Sequence, residues 1–100
     1  MTLNGIHIDE EKLATFCRAN GIRQLLLFGS ILRDDFTPES DVDVIVKFEN
    51  LRKPDLFRFA GMQTDLGELF DRPVHLNTDM MLHPGLRNSI LRSAKPAYAA

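Results

Sequence analysis

Apolar and polar positions along the chain fall into blocks that predict alternating helices and strands. The first block places apolar residues at helical spacing over residues 10–19. Asp9 is a suitable N-cap for this helix, and Asn20-Gly21 is a C-terminal stop signal. The stretch Ile22–Phe28 follows and contains the run LLLF, which is typical of a buried strand. The chain therefore begins with a predicted helix followed by a predicted strand.

The middle of the chain is polar, then apolar, then polar again. Residues 29–40 predict a loop with one helical turn at Ser30–Asp34, and they end in the turn-forming sequence TPES. Asp41–Phe48 predicts a second strand. Residues 50–55 are polar, and Pro54 suits the first position of the next helix.

The last blocks predict two helices and a third strand. One apolar stripe predicts a helix over residues 55–70, and its members are Leu56, Phe59, Met62, Leu66, Leu69 and Phe70. Residues 73–77 predict a short strand, residues 84–94 a helix closed by Lys95-Pro96, and the tail AYAA a small edge strand. The order α-β-β-α-β-α predicts one small α/β (α+β) domain over residues 1–100, with helices packed on a short mixed β-sheet.

Composition narrows the class of protein without identifying it. The chain has 100 residues and a net charge of −2, so no general polyanion-binding surface and no direct DNA binding are expected. The single Cys17 excludes an internal disulfide and fits a reducing compartment. No apolar run approaches the roughly 20 residues of a membrane span, and the first residues lack the regions of a signal peptide. We therefore expect a soluble, cytoplasmic protein without a membrane association.

Two carboxylates begin the second predicted strand. Because successive strand side chains alternate between faces, Asp41 and Asp43 share one face, about 7 Å apart along the strand. Two like charges there repel each other unless a cation lies between them. Upstream, Gly29 allows close approach of a bound group, and Ser30 offers a hydroxyl and a backbone N–H to a phosphate. Mg²⁺ prefers such carboxylate oxygens together with substrate phosphates, so the pattern predicts a site for Mg²⁺ and a nucleoside triphosphate.

The motif Gly29-Ser30, ten residues, then Asp41-Val42-Asp43 resembles the GSx10DxD signature of minimal nucleotidyltransferases. This family belongs to the DNA polymerase β-like superfamily, and its members act as antitoxins of HEPN–MNT toxin–antitoxin pairs. The apolar segments around the motif and the closing LHPGLRNSILRSA are also similar to family segments, so the resemblance covers nearly the whole chain. It implies the polymerase β-like nucleotidyltransferase fold.

The resemblance also implies chemistry and a partner. Family members bind MgATP, and some transfer AMP to a tyrosine of the HEPN toxin. Gly29, Ser30 and the basic Arg33 would then contact the triphosphate, and Asp41 and Asp43 would bind Mg²⁺, or Mn²⁺ in its place. For Arg33, a solvated loop arginine without a role at the site is an equally good interpretation.

A homo-oligomer paired through a strand near the C-terminus is a further hypothesis.

One position departs from the family pattern. A third carboxylate usually lies on a later strand, in a V-D-L segment that here is Val74-His75-Leu76. His75 can serve as a general base, or it can mark a site that no longer turns over. Asp71 and Asp79 share its strand parity, but neither is a firm substitute. Three hypotheses stay open: a transferase acting on a partner protein, a catalytically degenerate antitoxin that neutralises its toxin by binding alone, and a nucleotide-binding regulatory module or fragment of a larger transferase.

Overall fold

A computed structural model of the chain describes residues 1–49 and 54–100. The chain opens with a two-stranded antiparallel hairpin, β1 (Thr2–Leu3) and β2 (Ile6–His7). Its two-residue turn is Asn4-Gly5, and both residues have positive φ, +51° and +82°. Asn-Gly suits such a turn because both residues tolerate the left-handed backbone. The sequence analysis did not predict this hairpin. Most of the predicted polar linker, residues 50–53, lies outside the described residues.

Helix α1 (Glu10–Ala19) and strand β3 (Ile22–Phe28) have the predicted bounds. The Asp9 side chain caps the helix by accepting a hydrogen bond from the Lys12 backbone N–H at 3.1 Å. Cys17 lies on the buried face of α1, where burial raises the pKa of its thiol to about 12. This thiol is therefore a core group and not a reactive one.

A four-residue 3₁₀ turn, Gly29–Leu32, replaces the predicted helical turn at Ser30–Asp34. Strand β4 (Val42–Phe48) starts one residue later than predicted. Helix α2 (Leu56–Phe70) is capped by Asp55, whose carboxylate accepts from the Arg58 N–H at 2.8 Å. The prediction that Pro54 opens this helix was wrong, because Pro54 precedes the cap.

The apolar stripe of α2 is correct except at its first member. Met62, Leu66 and Phe70 are buried, whereas Leu56 is 87% exposed and does not join the core. The remaining elements are β5 (Val74–Thr78), a 3₁₀ turn (Asp79–Met81), α3 (Pro84–Ser93) and β6 (Lys95–Ala99). The predicted edge strand is therefore present, and it includes Pro96, which was expected to lie outside it.

The four longer strands form a mixed sheet in the order β5-β4-β3-β6. Strand β3 pairs antiparallel with β4 and β6, and β4 pairs in parallel with β5. The register aligns Phe28 with Asp43 on one side of β4 and His75 with Asp43 on the other. Asp43 is thus flanked by the last residue of β3 and by the second residue of β5.

The sheet carries a large hydrophobic core on one face and a small one on the other. The large core joins α1, α2 and the N-terminal hairpin to alternate residues of β3, β4 and β5. The small core comprises Leu26, Ile45 and Leu82, with Ile90, Leu91 and Ala94 of the α3 region packed against it. These features confirm the predicted α+β class with a mixed sheet. No helix in the described part of the chain is long and apolar enough to cross a membrane.

Candidate active site

The structure brings the two predicted carboxylates together at the start of β4. Asp41 directly precedes the strand and Asp43 is its second residue. Both approach the same imidazole ring: His75 Nε2 lies 3.2 Å from Asp41 Oδ2, and His75 Nδ1 lies 3.5 Å from Asp43 Oδ1. The ring is available to both because β5 runs parallel to β4 with His75 opposite Asp43. Asp41 and Asp43 therefore do share a face, as predicted from strand alternation.

Gly29 is the first residue after β3 and lies against Asp43. Its backbone has φ +78°, a region that side-chain-bearing residues rarely adopt. A Cβ at this position would overlap the Asp43 carboxylate. Glycine therefore permits both the turn out of β3 and the close approach of the loop backbone to the carboxylate.

Ser30 and Arg33 lie in and just after the 3₁₀ turn. The Ser30 carbonyl accepts a hydrogen bond from the Arg33 N–H at 2.9 Å, which closes the turn. The Arg33 side chain is exposed, and its Nε donates to Asp35 Oδ1 at 3.0 Å. Its positive charge is near enough to Asp43 to favour the ionised carboxylate. Arg33 is thus close to the site but paired with a loop acid, a contact that an exposed pair can exchange at little cost.

The Asp43 carboxyl has the perturbed electrostatics expected beside a second acid. Burial raises its pKa, and the Asp41 charge adds to that effect. The charges of His75 and Arg33, and the hydrogen bond from His75, act in the opposite direction without cancelling the rise. The negative charge of ionised Asp43 is therefore only partly compensated by the neighbouring groups of the protein itself.

The donor set is consistent with a divalent cation that completes its coordination from a substrate. Within residues 1–49 and 54–100, no group of three or more His, Cys, Asp and Glu side chains is arranged to hold a metal ion by itself. Asp41 and Asp43 nevertheless each place a carboxylate oxygen within 3.5 Å of a ring nitrogen of His75, so the two carboxylates lie on one side of the sheet. Two carboxylates supplemented by phosphate oxygens and water is the coordination typical of Mg²⁺ at nucleotide sites.

Asp71 and Asp79, which are spaced from His75 by an even number of residues and so would share its face of an extended strand, lie outside β5. Asp71 is the left-handed C-cap of α2, with φ +54°. Asp79 begins the 3₁₀ turn after β5, and its carbonyl accepts from Arg87 Nε at 2.9 Å. In the pairing of β4 with β5, His75 is the residue opposite Asp43.

Two side chains to which the sequence analysis gave no role contact the loop that joins the motifs. Asn4 donates to carbonyls at the end of the 3₁₀ turn, and Arg72 donates to carbonyls just before Asp41. The Asn4-Gly5 dipeptide between Leu3 and Ile6 is a recognisable hairpin signal. Arg72 carries no comparable signal, since its contacts are about thirty residues away in the sequence.

The chain is similar to a known family and to known proteins. The model of the nucleotidyltransferase domain family matches residues 10–96. A protein adenylyltransferase, MntA, from Thermococcus cleftensis is 33% identical over 72 residues, covering 72% of this chain and 71% of the relative. A protein from Methanocaldococcus jannaschii, provisionally named a protein adenylyltransferase, is 30% identical over 94 residues, covering 94% of this chain and 96% of the relative.

Solved structures give the same fold. A structure provisionally described as a minimal nucleotidyltransferase is 31% identical, with a TM-score of 0.67 over 90% of this chain and 97% of that one. A toxin–antitoxin structure with AMP-PNP has a TM-score of 0.73 at 20% identity, covering 93% of this chain and 75% of that one. A tri-AMPylated Shewanella oneidensis HEPN toxin in complex with MNT antitoxin has a TM-score of 0.65 at 20% identity, covering 91% and 70%. The last two, below 25% identity, bear on the fold alone.

Proposed function

The chain belongs to the nucleotidyltransferase domain family, and from this premise we propose that it transfers AMP from ATP to a hydroxyl of a partner protein, a HEPN-type toxin that it thereby neutralises. The observation that carries the proposal is that Asp41 and Asp43 both contact the His75 ring, with the Gly29 backbone against Asp43. The names of the relatives support protein adenylylation, and the name of one structural neighbour supports the partner.

Each residue of the site has a role that its geometry supports. Gly29 lets the backbone lie close to the triphosphate, and the Ser30 hydroxyl donates a hydrogen bond to a phosphate oxygen. Arg33, once released from Asp35, adds positive charge near the phosphates. Asp41 and Asp43 hold Mg²⁺, or Mn²⁺ in its place, which when bound neutralises charge on the transferring group.

The proton of the attacking hydroxyl goes to His75 in this scheme. A neutral imidazole donates from one nitrogen and accepts at the other. Each ring nitrogen of His75 contacts a carboxylate. In the scheme one nitrogen keeps donating to its carboxylate, and the other, once the carboxylate opposite it turns to a bound cation, accepts the proton as the hydroxyl oxygen bonds to the α-phosphorus and pyrophosphate leaves. The His75 side chain is 64% exposed, so an acceptor side chain from a partner can reach it.

A binding-only antitoxin is the hypothesis that the comparisons do not favour, because the relatives are named as transferases. His75 in the third-carboxylate position is its one support. His75→Asp separates the two hypotheses, since a carboxylate at that place restores the family pattern. A chain that works only by binding gains transfer activity with this substitution, whereas a working transferase has activity beforehand.

The experiment is label transfer from α-phosphate-labelled ATP to the proteins of the source cells, with Mg²⁺ and then with Mn²⁺. We expect a labelled protein with the wild type and none with Asp43→Ala. Asp65→Ala, which removes an exposed carboxylate of α2, is the matched control and keeps full labelling. Equal labelling by wild type and Asp43→Ala would refute the proposed site, and no labelling by wild type with either metal would refute the proposed activity.

A further inference from the structure

The two motifs of the proposed site are joined by a loop, residues 33–41, that has neither helix nor strand. Its first residue follows the 3₁₀ turn that carries Ser30, and its last residue is Asp41. The pairing of β3 with β4 holds Gly29 near Asp43, whereas the far end of the turn and Asp41 lie outside the paired residues, so their positions depend on how this loop is held. Long loops without regular structure gain order from side chains that bond their backbone carbonyls.

Asn4 holds the beginning of the loop. Its Nδ2 donates to the Arg33 carbonyl at 2.8 Å and to the Ile31 carbonyl at 3.1 Å. Asn4 reaches them from the turn of the β1–β2 hairpin, where it has φ +51°. This hairpin precedes the region, residues 10–96, that matches the family. The contact is thus made by a part of the chain outside the matched domain.

Arg72 holds the end of the loop. Its Nη2 donates to the Thr37 carbonyl at 2.6 Å and to the Ser40 carbonyl at 2.9 Å. Its guanidinium also stacks over the Phe36 ring, 4.7 Å from the centroid. Ser40 directly precedes Asp41, so these bonds fix the chain one residue before a proposed metal ligand.

A cavity of about 250 Å³ lies between these two contacts. It is lined by residues of the hairpin turn and of the loop together with Arg72; they are Asn4, Gly5, Phe36, Thr37, Pro38 and Arg72. Small-molecule sites occupy roughly 300–1,000 Å³. The size and the lining of this cavity indicate a gap between the packed hairpin and loop, and not a nucleotide pocket.

Arg72 is not the side chain that stability alone would select. Its Nε–H is buried and has no hydrogen-bond partner in the described part of the chain. A buried donor without a partner is destabilising, whereas a methylene in its place is not. A long apolar side chain or a lysine would avoid that loss, so the arginine is better explained by what its Nη2 holds.

We propose that Asn4 and Arg72 are positioning residues, which clamp the two ends of loop 33–41 and so set the positions of the phosphate-binding turn and of Asp41 relative to Asp43, which the β3–β4 pairing holds. The inference rests on the proposed function for the role of the two motifs. The clamp itself rests on the hydrogen bonds above and can be measured without activity.

The first measurement is hydrogen–deuterium exchange of the amides of residues 33–41. Asn4→Asp removes the donor and keeps a residue that tolerates positive φ. Arg72→Met keeps an unbranched apolar stem and removes both bonds, while Arg72→Lys keeps a donor and replaces the unpartnered Nε–H by a methylene. Arg58→Met is the matched control, since Arg58 donates from an exposed side chain to the Ala19 carbonyl, away from the loop.

We expect exchange in the loop to rise at least about fivefold to tenfold in Asn4→Asp and Arg72→Met, the change that corresponds to the loss of one of the two hydrogen bonds that each variant removes. Arg72→Lys should keep most of the protection, and Arg58→Met should leave the loop unchanged. Unaltered exchange in both Asn4→Asp and Arg72→Met would overturn the clamp.

The second measurement is the affinity for α,β-methylene-ATP with Mg²⁺, an analogue from which AMP cannot be transferred, followed by label transfer from ATP. We expect Asn4→Asp to weaken nucleotide binding about fivefold. Arg72→Met should lower the transfer rate more than it raises KM, with Arg72→Lys restoring the rate. Raised exchange together with unaltered affinity and transfer would overturn the positioning role. A wild type that neither binds nor transfers would instead refute the proposed function, and the exchange result would still decide whether the clamp holds the loop.

Discussion

Replacing Gly29 by alanine tests the close approach between the loop backbone and Asp43. The backbone at Gly29 has φ +78°, and a residue with a side chain there loses about 1–2 kcal/mol. The added Cβ also overlaps the end of the Asp43 side chain. Because that end can rotate, the overlap adds little to the loss of stability but moves the carboxylate from its place beside Asp41.

Stability and function should therefore respond differently. For a domain of this size, 1–2 kcal/mol lowers the thermal midpoint by roughly 4–16 °C. Gly21→Ala is the matched control, since Gly21 has φ +65° and an added Cβ there meets nothing within 4 Å. We expect both variants to lose similar stability. A carboxylate displaced by about 1 Å can lower a rate by about 100-fold, so only Gly29→Ala should lose label transfer on that scale.

The assay is thermal unfolding by circular dichroism, together with label transfer from α-phosphate-labelled ATP at a temperature where both variants are folded. Equal label transfer by Gly29→Ala and Gly21→Ala would show that the close approach of Gly29 to Asp43 does not affect the activity. A thermal midpoint for Gly29→Ala that matches the wild type would refute the backbone argument itself. A much larger loss of stability than in Gly21→Ala would show that the Asp43 side chain cannot rotate away.

Three further predictions concern charge, capping and burial. Because the folded-state pKa of Asp43 is raised, its contribution to stability is present below the unfolded pKa of about 3.9 and is lost as pH rises through the folded pKa. Asp43→Asn should therefore raise the thermal midpoint at pH 7, and this increase should shrink toward pH 4. The control Asp65→Asn should not raise the midpoint. Asp9→Ala should destabilise the chain by about 1 kcal/mol in urea unfolding through loss of the α1 cap, and an unchanged midpoint would contradict the capping bond. Leu56→Ala should change the free energy of unfolding by less than about 0.5 kcal/mol and Met62→Ala should lower it by about 2–5 kcal/mol, while equal effects would contradict the burial pattern.

Local signals allowed most elements to be predicted. Helix α1 is correctly bounded because Asp9 caps one end and the Asn20-Gly21 pair stops the other. The α2 stripe failed only at Leu56, where the helical period continues but the side chain is exposed in the described part of the chain. The hairpin was missed because its strands have two residues each, too short for an alternating pattern to show.

The candidate site was predictable only in part. The shared face of Asp41 and Asp43 follows from strand alternation, which is a local rule. That His75 faces them depends on β5 pairing in parallel with β4, an arrangement set by how α2 crosses between the strands. The contacts of Asn4 and Arg72 join residues 27 to 35 positions apart and have no periodic signal.

The position of the site on the sheet accounts for the difference between its two carboxylates. On this face of β4 the side chains become progressively more covered: Asp41 is 41% exposed, Asp43 is 27% exposed, and Ile45 is buried under Leu82 and α3. Asp43 thus lies at the edge of the small core, where desolvation penalises its charge. A cation bound between the two acids would relieve that penalty most at Asp43, because the weaker solvation there leaves more to be compensated. The same apolar cover that makes ionised Asp43 unfavourable in the chain alone would therefore favour the binding of a divalent cation at the proposed site.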